Sequence, residues 1–103
     1  PMFDPAKIER LASHLRGRGI PIIVSIMPLI SARNAEFLHN EVPGISIPTP
    51  VREKFDRITS REKALEEGIA IARDMLSAAR EIAQGACIMP QLGKYSVVER
   101  IIY

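Results

Sequence analysis

Residues 20–40, IPIIVSIMPLISARNAEFLHN, decide how this chain is read. Ile20 to Met27 is a short apolar run rich in β-branched residues, which predicts a strand over Ile22–Met27 buried on both faces. Met27-Pro28 stops it, because proline has no N–H to give a central ladder. Ser31 is placed to cap a helix reaching Asn40, with Ala35, Phe37 and Leu38 among its apolar positions. A strand, a short turn and a helix in that order form one unit of a parallel α/β fold. In such folds ligands gather at the turns after the strands' carboxyl ends.

Working outward, the same grammar returns near the other end. Ala86–Met89 is a second apolar run stopped by proline, at Pro90, and Gln91-Leu92-Gly93-Lys94 forms the turn after it. Tyr95 to Tyr103 then reads as a closing helix, with Val97, Val98, Ile101 and Ile102 apolar. Between the two runs lies a length of mostly helical sequence, as a right-handed parallel crossover requires. Thr59-Ser60-Arg61-Glu62 fits a capping box, opening a helix of about 24 residues to near Ala83. Leu65, Ile69, Ala72, Leu76 and Ala79 mark its apolar stripe. Ala70, Ala72, Ala78 and Ala79 suit close approach to a sheet, and Gly85 is expected in the left-handed conformation that ends helices.

Asp4-Pro5 starts an earlier helix, whose stripe is Ile8, Leu11, Ala12 and Leu15 and which Gly17 and Gly19 end. Pro43-Gly44 suits a type II turn. Ile45 and Ile47 are too interrupted by proline for a strand, and the loop around them is long enough to invite a functional role. Thr49-Pro50 begins a short helix with Val51, Phe55 and Ile58 on one side.

The 103 residues suit one small domain, 47% hydrophobic and 25% charged. A net charge of +2, with acids and bases interleaved, makes no case for nucleic acid or an anionic membrane. No run approaches the roughly 18 apolar residues of a membrane span. One cysteine, Cys87, allows no internal disulfide and suits a reducing, cytoplasmic compartment. Cys87 reads as a small core residue. His14 and His39 lack metal-ligand spacing and read as surface and structural residues. Met27 and Met89 suit either a ring-binding pocket or the filling of a core. Arg33 and Lys94 follow the two strand ends, as anion contacts or as solvated charges.

Residues 20–38, then Asn40-Glu41-Val42-Pro43-Gly44 with Ile47-Pro48, resemble the methylenetetrahydrofolate reductase family, closest to bacterial members fused to a homocysteine S-methyltransferase domain. Glu67-Gly68-Ile69-Ala70 and Met89-Pro90-Gln91-Leu92-Gly93-Lys94-Tyr95 extend the resemblance over essentially the whole chain. The resemblance implies a (β/α)8 TIM barrel that binds FAD and passes hydride from NAD(P)H to methylenetetrahydrofolate, an oxidoreductase of one-carbon metabolism and methionine biosynthesis. It makes residues 1–103 the carboxyl-terminal portion of that barrel, from the end of strand six at Pro1–Phe3 through strands seven and eight to the final helix. The acidic residues and most of the FAD site would then lie earlier in the protein. Ala32 stands near a position where some relatives place a stacking aromatic. The resemblance implies no catalytic residue in this stretch, but a substrate-binding wall of Met27, Leu29, Met89 and Gln91, with Pro28 and Pro90.

Two strands cannot close a barrel that takes about 250 residues. The expectation is therefore a piece of a longer protein, inactive alone, that packs against the remaining barrel or forms a homo-oligomer. A self-associating fragment without activity, and another barrel module with its own ligand, are the competing readings.

Overall fold

The structure, a computed structural model, describes residues 2–91 and 95–102. Asp4 accepts the Ala6 N–H at 3.0 Å and opens helix α1, Pro5–Leu15. Gly17 and Gly19 follow at φ 79° and 67°, backbone that glycine enters without strain, and turn the chain into strand β1, Ile23–Ile26. Ser31 Oγ accepts the Asn34 N–H at 3.0 Å and opens α2, Ala32–Glu41. Gly44, at φ 83°, makes the Pro43-Gly44 turn. Then come α3, Thr49–Asp56, and the long α4, Arg61–Ile82. Strand β2, Gly85–Ile88, and α5, Tyr95–Ile102, complete the order.

The two strands are parallel neighbours, with Ile23 opposite Gly85, Ser25 opposite Cys87 and Ile26 opposite Ile88. On β1's other side the Met2 N–H donates to the Ser25 carbonyl at 3.2 Å. The spatial order is thus Met2, β1, β2, the same as the chain order.

Two apolar cores flank the strand ends. One packs Ile22, Val24 and Ile26 of the first strand region against α1, α4 and α5, through Ile8, Met75, Ala79, Val97 and Ile101. The other lies beyond the carboxyl end of β1, where Phe3, Leu29, Ala35, Leu38, Ile47, Phe55 and Ala64 meet under α2 and α3. Helix α4 serves both, Ala64 and Ile71 in the second and Ile69, Ala72, Met75, Leu76 and Ala79 in the first. At the seam stands Gly68, where a Cβ would overlap the Leu29 carbonyl oxygen and lie 2.8 Å from its carbon. The helix can lie against that peptide only because the side chain is a hydrogen.

Several expectations need correction. The first strand is buried on one face only, because α1, α4 and α5 all pack against Val24 and Ile26; Ile23 is 70% exposed. Cys87, opposite Ser25, is exposed and fills no core. Phe37 is 57% exposed, since the buried stripe of α2 runs through Ala35 and Leu38, a spacing that leaves residue 37 outside. The capping box does not form: Ser60, not Thr59, is the cap, it makes no side-chain bond, and Glu62 falls one position too early to reciprocate. Gly85 is not left-handed; α4 ends in extended backbone at Ala83, and Gly85 is already strand. Of the alanines expected to face the sheet, Ala70 is exposed, while Met75 is buried instead.

Candidate functional site

The two proline-stopped strand ends sit side by side. The Met89 N–H donates to the Ile26 carbonyl at 2.8 Å, extending the ladder one step past β2. Continuing the register places Met27 opposite Met89 and Pro28 opposite Pro90. Both methionines are half-buried. They follow the bare face of the sheet, where Ile23, Ser25 and Cys87 carry no helix. Met27 packs in part against the second core, beside Leu29 and Ala35, so it serves the core-filling role as well; what remains accessible of a thioether is polarisable and packs well on a flat ring.

Behind the methionines the backbone is fixed. Pro28 is fully buried and Leu29 is 1% exposed, packed in the second core with its carbonyl close against Gly68. Leu29 therefore backs the wall rather than fronting it.

Gln91 does something its position in sequence does not announce. Its Nε2 donates to the Pro28 carbonyl and to Asn34 Oδ1, each at 2.8 Å, while its Oε1 accepts from Asn34 Nδ2 at 2.9 Å. Asn34 Oδ1 also accepts the Ile30 N–H at 3.3 Å. The turn after β2 is thereby tied to the turn after β1 and to the first turn of α2. Asn34 was missed as a site residue by sequence reasoning; its signal is an amide three residues after the capping Ser31. Gly68 carries a signal of its own beside the family likeness, since a glycine inside a long helix marks close packing.

The other candidates lie apart. Arg33 is exposed on α2, and Lys94 lies outside the described residues. His14 is exposed; His39 Nδ1 accepts the Ile47 N–H at 3.0 Å, a structural role that also pins the long 42–48 loop. Arg52 reinforces that loop through the Ile47 carbonyl at 3.1 Å and Glu36 at 3.7 Å. A groove of about 690 Å³, lined by Leu15, Ile20 and Ile82 among others, opens at the opposite, amino ends of the strands. Among the described residues no group of three metal-ligating side chains converges, and no helix is long and apolar enough to cross a membrane.

A parallel strand pair with polar-braced turns at its carboxyl ends and helices packed on the face of Val24 and Ile26 defines a mixed α/β protein. The family model for methylenetetrahydrofolate reductase matches residues 2–96, and the chain belongs to that family. No curated protein matches it.

Proposed function

We propose that this chain, residues 1–103, is the carboxyl-terminal portion of a (β/α)8 barrel in a flavin-dependent enzyme that reduces 5,10-methylenetetrahydrofolate to 5-methyltetrahydrofolate with NAD(P)H. The observation that carries the reading is the spatial order Met2, β1, β2, which follows the chain, with β1 and β2 parallel and, among the described residues, helices packed on the face of Val24 and Ile26. Consecutive strands of a closed barrel neighbour one another in this way, and the bare face becomes the barrel interior.

In this reading Met27 and Met89 front the substrate wall, while Leu29 and Gln91 hold it from behind. Among the described residues of these turns the two carboxamides bond each other, which leaves the half-buried methionines to meet the side of a ring. We place the FAD phosphates on the remainder of the protein and derive no step through the flavin here. The apolar face around Ile23 finds its cover in the rest of the barrel, ahead of a second copy. The long likeness over residues 33–44 and 87–95 supports a place near the bacterial members joined to a homocysteine S-methyltransferase domain. Cys87, the chain's one cysteine, supports a reducing, cytoplasmic setting.

Purification of the complete gene product tests this. It is expected to carry the yellow absorbance of bound FAD and to form 5-methyltetrahydrofolate while oxidising NAD(P)H. Colourless protein that takes up no added FAD, or a flavoprotein that leaves the folate unchanged, would overturn it. Colourless protein running at twice its mass would favour the self-associating fragment.

A further inference from the structure

We infer that Asn34 and Gln91 form a clasp that sets the spacing of the Met27–Met89 wall, both acting as positioning residues for the folate substrate; this rests on the reductase reading above. A carboxamide can be turned either way, but here its two ends are fixed by backbone groups with one role each. The Pro28 carbonyl accepts only, so Gln91 must present its NH2 there. The Ile30 N–H donates only, so Asn34 must present its oxygen there. With both orientations set, the facing halves pair reciprocally, Gln91 Nε2 to Asn34 Oδ1 and Asn34 Nδ2 to Gln91 Oε1. Side chains 57 positions apart in sequence thus lock one turn to the other. Both residues are partly buried, where such bonds are stronger than in open water. Met27 immediately precedes Pro28, and Met89 stands two residues before Gln91. Loss of the clasp leaves the strand ladder, which ends at the Met89 N–H to Ile26 carbonyl bond, to hold the two methionines, and as the turns beyond it loosen a ring held upon the thioethers loses part of its fixed surface.

The two acid variants are unequal, and the inequality is diagnostic. Gln91→Glu puts carboxylate oxygens against the Pro28 carbonyl and Asn34 Oδ1, acceptor against acceptor at two contacts. Asn34→Asp keeps the acceptor for Ile30 and Gln91 Nε2 but sets a carboxylate oxygen against Gln91 Oε1, acceptor against acceptor at one contact. Steady-state kinetics of the complete gene product, with flavin content measured beside them, reads the difference. The expected result is a KM for methylenetetrahydrofolate raised about ten-fold or more in Gln91→Glu and about three-fold in Asn34→Asp, with kcat within about three-fold and flavin content unchanged. An active wild type whose KM is unmoved by Gln91→Glu overturns the clasp alone. A wild type without reductase activity overturns the reading beneath it. Should Gln91→Glu fail to fold, Asn34→Asp decides: an unchanged KM there also overturns the clasp.

Discussion

Gly68→Ala is expected to destabilise α4 by about 2 kcal/mol, reversing the ordinary preference for alanine in a helix. Alanine gains about 1 kcal/mol of intrinsic helix propensity over glycine. Against that stands a methyl group placed on the Leu29 carbonyl, which is backbone and cannot rotate aside. Forcing extra carbon into a packed seam costs up to about 3 kcal/mol, leaving the net loss. Ala70, two residues along and exposed, is the control: Ala70→Gly there should cost about 1 kcal/mol, the usual sign. Native-state hydrogen exchange of the α4 amides measures both. If Gly68→Ala slows exchange instead, α4 does not press on the Met-Pro-Leu turn, and the bracing of the site from below is lost with it.

Phe55→Ala carries the larger penalty, about 3–5 kcal/mol. Phe55 is 0% exposed and is the buried residue of α3. Its ring fills the second core together with Leu29, Leu38 and Ile47. The partly exposed ion pairs that also hold α3, Lys54 to Glu67 at 3.6 Å and Arg52 to Glu36 at 3.7 Å, are each worth about 1 kcal/mol or less and cannot replace it. Denaturant titration of the variant beside wild type gives the loss. Because Leu29 shares this core, the damage should reach the site: KM for the folate substrate should rise even where the variant stays folded. A loss below about 1 kcal/mol would mean that the second core is not a packed unit.

Much of this fold is legible in the sequence because several local signals agree. Asp4-Pro5, Ser31 and Pro43-Gly44 each use a residue whose chemistry fits one backbone role, and each does so in the structure. The parallel pairing follows from two apolar runs with helices between them. The misreadings share a cause: they concern which side an element buries, and neighbours decide that. Ile22-Ile23-Val24 is uniformly apolar, so nothing in its letters says that Ile23 lacks a cover within this chain. Cys87 reads as a core residue and Phe37 as one of the apolar positions of its helix, yet both are exposed. The Thr59–Glu62 box failed by one residue, the uncertainty natural to helix ends. At the site, Met27 and Met89 were legible as paired because the two runs share one grammar. The Asn34–Gln91 bond was not, since reciprocal amides depend on a register known only once the strands are side by side.

That register can be tested with the chain's own thiol. Ser25 lies opposite Cys87, on neighbouring strands that run about 4.8 Å apart, within reach of a short cross-linker that joins two thiols. Ser25→Cys, treated with such a cross-linker, should join residue 25 to residue 87 within one molecule, identified by the mass of the linked peptides, whereas Val24→Cys, whose side chain points to the helical face, should not. A Ser25→Cys protein that stays unlinked, or links only between molecules, would contradict the adjacent parallel strands on which the shared Met-Pro wall depends.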